Sequence, residues 1–239
     1  SRGLGDVYKR QIFVEMRLFM KFKDFARKHW RIWYVSYIFI YLPWFFAMEH
    51  LVTDATPNLH IMHSFVDDMI PFCEYFIIPY GIWFVYIAVS CFFMYFKGTD
   101  EEYRRFAWSL IIGMSTCMII CLIYPNGVDM RPASLEHNNI CARIIKLLWA
   151  TDTSTNVFPS IHVYNSLATH IGLVRSKALE NNKGLKALSL VTCILICMST
   201  LFLKQHSFID VLGACVLMTI IYYFIYVPAE ERRLSFRRA

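Results

Sequence analysis

Apolar runs of about 20 residues, the length that crosses a bilayer as a helix, alternate with short polar stretches along most of the chain. They predict six membrane-spanning helices, near residues 32–49, 76–96, 107–124, 160–174, 187–203 and 207–227. The fourth run is short and opens on polar residues, the pattern of a helix whose outer end enters a protein-lined site rather than lipid. Upstream, residues 12–31 are basic and amphipathic, with Arg17, Lys21, Lys23, Arg27, Lys28 and Arg31 set among Phe13, Phe19, Phe22, Phe25 and Trp30. This predicts an interfacial helix leading into the first span. Residues 228–239 form a basic tail. With no internal repeat or low-complexity linker, the expected organisation is one helical membrane domain over residues 32–227.

Composition agrees with the pattern. The chain is 57% hydrophobic and 18% charged, against roughly half and a quarter in soluble domains, which excludes an ordinary soluble fold. Residues 1–11, SRGLGDVYKRQ, read codon by codon as a translated transposase-type library adapter, and are expected to be an artefact outside the fold. Without their Arg2, Lys9, Arg10 and Asp6 the net charge falls from +6 to +4. The remaining charge lies in loops and tails, and nucleic acid is not an expected partner. Of the eight cysteines, Cys91, Cys117, Cys121, Cys193, Cys197 and Cys215 lie in apolar runs. The x3 spacing within Cys117/Cys121 and Cys193/Cys197 fits small-residue helix packing better than metal binding. Only Cys73 and Cys141 fall outside, as one pair able to bridge on an oxidising side.

The loop charges orient the spans. Lys and Arg concentrate in residues 12–31, 97–106, 175–186 and the tail; residues 50–75 have none, 125–159 have Arg131, Arg143 and Lys146, and the 204–206 turn has Lys204. By the positive-inside rule both termini are cytoplasmic, and residues 125–162 and 204–210 share the outer face.

Two strings on that face carry chemistry: Phe158-Pro159-Ser160-Ile161-His162 and Lys204-Gln205-His206-Ser207-Phe208-Ile209-Asp210. On a helix, His206 and Asp210 would lie one turn apart on one side. Asp210 would then hold one ring nitrogen of His206 and leave the other free as a nucleophile, with His162 as acid–base partner. Arg131 offers a fork suited to phosphate oxygens. Pro159 fits a first helical turn, after which the N–H groups of Ser160, Ile161 and His162 would face outward as an anion site, joined by the Ser160 hydroxyl. These parts predict phosphoryl transfer through a phosphohistidine, with no metal or other cofactor.

Those residues resemble the motifs of the type 2 phosphatidic acid phosphatase superfamily: K-x6-R-P at Arg131-Pro132, P-S-G-H at Pro159–His162, and S-R-x5-H-x3-D at Ser199, His206 and Asp210. The resemblance covers roughly residues 30–227 and implies an all-α, six-transmembrane-helix bundle of that kind. It implies catalytic His206, His162 and Asp210 and a phosphate site at Arg131, Ser160 and Ile161. Three positions depart: Tyr124 stands for the first-motif Lys, Ile161 for the Gly, and Thr200 for the third-motif Arg. Lys204 is the candidate replacement for a lost cation, against a plain snorkelling role.

The expected function is a metal-independent membrane phosphatase on lipid phosphates or diphosphates, in the plasma membrane with an outward-facing site. The wording F-P-S-x-H with K-Q-H-x3-D is closer to the inositol-phosphoceramide-synthase-like branch. That keeps a lipid phosphotransferase, which moves a head group to a lipid alcohol, as the alternative. A non-catalytic transporter or scaffold is the third reading, favoured only by the missing cations. His60-x2-His63 with Asp67 and Asp68 invites a metal reading, but a solvated loop shaping entry to the site is preferred. His170 is expected to hydrogen bond within the bundle.

Overall fold

The computed structural model describes Met16, Arg17, Met20, Phe25, residues 29–135 and residues 137–228. The adapter-like residues 1–11, most of the basic segment 12–31 and the tail after Pro228 lie outside the described residues. The chain divides into two units, Ser1–Ile38 and Phe39–Ala239. The first contains α1, Trp30–Val35, after which the Ser36 hydroxyl donates to the Trp33 carbonyl.

The second unit is helical apart from one two-residue strand pair. Its elements are α2 (Ile38–Leu51, all but its first residue), β1 (His60–Ile61), α3 (Phe65–Met69), α4 (Ile77–Lys97), α5 (Asp100–Ile123), β2 (Asn126–Gly127), α6 (Ile140–Thr151), α7 (Ile161–Val174), α8 (Lys183–Phe202) and α9 (Phe208–Ile225). Five described stretches are long and apolar enough to cross a membrane: Trp30–Leu51, Glu74–Lys97, Asp100–Ile123, Lys183–Phe202 and Phe208–Ile225. They fall within two turns of five of the expected spans. This is an all-α fold of the multi-pass membrane type.

The remaining expected span is α7, and it differs in kind. Its 14 residues reach about 21 Å at 1.5 Å per residue, short of a hydrocarbon layer of about 30 Å. It is walled by α4, α5, α8 and α9. Val163, Tyr164, Ser166, Ala168 and Thr169 on it are fully buried, so polar side chains on this helix meet protein rather than lipid. Two glycine positions let the neighbours approach. A Cβ at Gly113 of α5 would overlap the Tyr164 ring, and one at Gly172 would lie 2.5 Å from the Phe106 ring. The Tyr164 hydroxyl then donates to the Ser109 carbonyl of α5 at 2.7 Å. His170 bonds Ser189 Oγ through Nδ1 at 2.9 Å, inside the bundle as expected.

Three alternate connections meet at one end of the helices. β1 pairs in parallel with β2, His60 against Asn126 and Ile61 against Gly127, and Thr155 bridges to Gly127. Cys73 N–H donates to the Phe202 carbonyl at the end of α8. The connection 125–159, expected as loop, contains α6. Asn139 caps it, accepting from Ala142 N–H at 2.9 Å. Its buried face, Cys141 and Ile145, packs on Ile77, Tyr80 and Leu203. Cys73 and Cys141 are both free thiols, so the suggested bridge does not form.

The α5–α7 contact is testable through its glycine. Gly113→Val should force the Tyr164 ring aside and cost about 1–3 kcal/mol of overpacking strain. A drop in the thermal midpoint of detergent-purified protein measures it; an unchanged midpoint means the contact is looser than described.

Candidate active site

His206 lies in the turn before α9 and is 6% exposed. The expectation that His206 and Asp210 lie on one helical face is therefore corrected. Ser207 is the N-cap, and Asp210 closes a capping box, its Oδ2 accepting from Ser207 N–H at 2.7 Å. Asp210 Oδ2 still lies 3.5 Å from His206 Nδ1, but the nearer partner of that nitrogen is the Val157 carbonyl at 3.0 Å. A carbonyl only accepts, so Nδ1 carries the proton and Nε2 of the neutral ring keeps its lone pair. Nε2 faces His162 Nδ1 at 3.4 Å, too long for a strong bond. The His162 ring packs between Tyr80 and Trp83 of α4, at centroid distances of 4.6 and 4.5 Å.

The phosphate-site candidates are arranged differently from expectation. Ser160 caps α7, its Oγ accepting from Val163 N–H at 3.4 Å. Pro159 therefore stands just outside the helix rather than in its first turn. Ser160 N–H is not directed outward: it donates to the Asp210 carbonyl at 3.2 Å, tying α7 to α9. The next N–H groups, of Ile161 and His162, are first-turn donors with no intrahelical acceptor. Arg131 Nη2 is already engaged, donating to the carbonyls of Asp152 and Thr153 at 2.9 and 2.8 Å and to Gln205 Oε1 at 2.7 Å. Acids surround it. Asp152 accepts from the Tyr80 hydroxyl at 2.9 Å, and Glu49 from the Thr153 hydroxyl at 2.6 Å. Burial pushes the Asp152 carboxyl above its usual range, against the opposing pull of the Tyr80 bond.

The model of the PAP2 superfamily matches residues 106–233, more than half of the chain and every motif position from Tyr124 to Asp210. The chain belongs to the PAP2 superfamily. No curated protein matches it. PAP2 proteins are membrane phosphatases and related phosphotransferases that act on lipid phosphates, and the apolar helices fit that class.

At the PAP2 positions where this chain departs, the residues have local duties. Tyr124 stacks on His60, centroids 4.1 Å apart and planes 12° apart. Thr200 is used through its carbonyl, which accepts from Gln205 and His206 N–H at 3.0 and 3.2 Å. With Lys204 N–H on the Leu201 carbonyl, this is a Schellman end to α8, in which the left-handed position usually held by Gly is Lys204, φ 56°. The Lys204 ammonium donates to the carbonyls of Asp67 and Ile70 at 2.6 and 2.5 Å. Two of its three donors are thus committed to a loop, which argues against both the phosphate-ligand and the snorkelling expectations.

Sequence reasoning passed over the most heavily bonded acid of the region. Asp67, 3% exposed, accepts from Ser207 Oγ at 2.6 Å, Phe208 N–H at 2.8 Å, Ser64 N–H at 2.8 Å and Ser64 Oγ at 3.0 Å. It caps α9 from outside the matched segment. The other members of the suspected metal cluster point elsewhere: His60 to Tyr124, and His63 to Asp68 at 2.9 Å. Asn126, fully buried, was also missed. Its Oδ1 accepts from Val157 and Phe158 N–H, both at 2.8 Å, and so fixes the carbonyl that orients His206. The readable signal was the Ser64-x-x-Asp67 capping box; nothing marked Asn126.

Two tests follow from this latch, in which Asp67 holds the start of α9 and Lys204 holds the Asp67 and Ile70 carbonyls. Burial pushes the Asp67 carboxyl up, but the bonds from Ser207, Phe208 and Ser64 outweigh it and hold the group below its usual 3.8. A folded value below the unfolded one stabilises fully at neutral pH and is lost as pH falls through the depressed folded value. Asp67→Asn should cost about 1–3 kcal/mol at pH 7 and progressively less as pH falls below the usual 3.8 toward the depressed folded value, read from denaturation across that range; a loss independent of pH contradicts the assignment. Lys204→Gly, which relaxes the left-handed residue, should be more stable than Lys204→Ala by about 1 kcal/mol, while both lose the latch. Equal midpoints would remove strain from the account.

Proposed function

We propose that this protein is a lipid phosphate phosphatase working through His206. The orientation of His206 carries the proposal. Its Nδ1 proton is held by the Val157 carbonyl, with Asp210 behind it, and Nε2 faces His162 across 3.4 Å. In the first step Nε2 donates its lone pair to phosphorus and the phosphorus–oxygen bond to the lipid alcohol breaks. His162 supplies the proton to the departing oxygen. The imidazolium that develops on His206 is stabilised by Asp210. In the second step water attacks phosphorus and His162 takes up its proton, while the phosphorus–nitrogen bond breaks with its electron pair returning to His206 Nε2, and inorganic phosphate leaves. Arg131 and the N–H groups of Ile161 and His162 neutralise the phosphoryl oxygens, so the rate comes mainly from positioning and fixed dipoles. Further parts of the proposal are an outward-facing site, cytoplasmic termini and residence in the plasma membrane, supported by the Lys/Arg distribution among the loops.

Transfer to a lipid alcohol is the second reading. Its support is specific: Tyr124 and Thr200 stand where the resembled motifs place cations, leaving Arg131 as the motif cation that remains. The two readings share the first step and differ only in the group that resolves the phosphohistidine.

The leaving group separates the roles of the two histidines. His206→Ala should abolish turnover and trapping of labelled phosphate on every substrate. His162→Ala should slow a lipid phosphate by about 10²–10⁴ yet recover on p-nitrophenyl phosphate, whose leaving group needs no proton. Retained turnover in His206→Ala would falsify the mechanism. Phosphate released from a lipid-phosphate panel without acceptor lipid supports hydrolysis; head-group exchange that appears only with acceptor lipid establishes the transferase.

A further inference from the structure

We infer that Gln205 is a phosphate-binding residue, its side-chain amide supplying a donor beside Arg131 that the departed motif cations no longer supply. The inference rests on the phosphoryl-transfer reading of this site and names a ligand that the motifs do not contain. Gln205 is 3% exposed and immediately precedes His206. Its Oε1 accepts from Arg131 Nη2 at 2.7 Å. A guanidinium has donors only, so this bond fixes which end of the amide is which: oxygen toward Arg131, nitrogen away. That nitrogen, Nε2, is buried and has no partner among the described residues, and Arg131 Nε is in the same condition.

A buried donor without an acceptor is costly and rare. Here two of them sit on one hydrogen-bonded pair, one peptide bond from the candidate nucleophile. One of the pair is cationic, which selects an anion; two donors on neighbouring groups suit an anion with several oxygens, as a tetrahedral phosphoryl group has. The backbone is set to hold the geometry, because Gln205 N–H is spent on the Thr200 carbonyl at 3.0 Å in the Schellman turn. Thr200, at the position of a lost cation, thus anchors the residue that takes over a donor function. The competing account is that Gln205 only brackets Arg131 and never touches the ligand.

Orthovanadate, a phosphoryl mimic, separates these on the full chain in detergent, with affinity measured calorimetrically for wild type, Gln205→Met, Arg131→Met and the double variant. If Gln205 binds directly, Gln205→Met weakens vanadate on the order of ten-fold, and a comparable further loss appears in the Arg131→Met background. If Gln205 acts only through Arg131, its effect vanishes once Arg131 is gone, and the inference is overturned. Gln205→Glu guards against misfolding: it is nearly isosteric, keeps the acceptor for Arg131 and replaces the amide donor with an anion. It should retain the thermal midpoint and bind vanadate more weakly than Gln205→Met; wild-type affinity there also overturns the inference. A wild type that takes up no vanadate sinks the phosphoryl-transfer reading itself, and this inference with it.

Discussion

An imidazole has two nearly equivalent nitrogens, and a protein that uses one must fix the other with an acceptor that cannot move. Here that acceptor is the Val157 carbonyl, 3.0 Å from His206 Nδ1. Much of the surrounding layer has the effect of holding it still. Asn126 takes the N–H groups on either side of that carbonyl, and Asn126 is itself placed by the short β1–β2 pairing. Gly127 allows the strand to lie against Ser154, whose carbonyl a Cβ would meet at 2.8 Å. The other side of the histidine is fixed by Asp67 at the start of α9. Residues from three separate connections thus converge on one side-chain orientation, as preorganised catalysis requires.

What could be read in advance followed from periodicity and spacing. Long apolar runs announce spans by length alone, and the His206, Asp210 and His162 positions stand out as polar islands between them. The details that depend on caps were not legible. His206 and Asp210 sit four apart, which on a continuous helix places them on one face; a Ser207 cap between them changes the geometry while keeping them near. Helix α6 was hidden because Arg143 and Lys146 interrupt its apolar positions, and it is too short to announce itself as a span. Asp67 looked like loop acidity because nothing local reveals that its partners are Ser207 and Phe208, some 140 residues away.

Lys204 illustrates how strain and attachment are exchanged. A non-glycine residue in the left-handed region is disfavoured, yet the turn between α8 and α9 needs that conformation. The side chain that makes the backbone unfavourable also reaches the Asp67 and Ile70 carbonyls. Asp67 in turn accepts from the first residues of α9. The turn carrying the candidate nucleophile is therefore closed by a loop that lies outside the segment matched to the family.

The shortness of α7 has a consequence for depth. Its far end is level with those of its neighbours, since Arg175 donates to the Tyr222 hydroxyl of α9 and Lys177 N–H to Glu102 in the first turn of α5. At its other end the Ser160 cap meets the Asp210 carbonyl in the first turn of α9, so this 14-residue helix starts level with its long neighbours too. The histidine pair therefore lies at the ends of the long helices, with His162 walled by Tyr80 and Trp83 rather than by lipid. On the proposed function, a lipid phosphate would meet the histidines at the level of those helix ends with its acyl chains still in the leaflet, and would not have to be extracted into solvent.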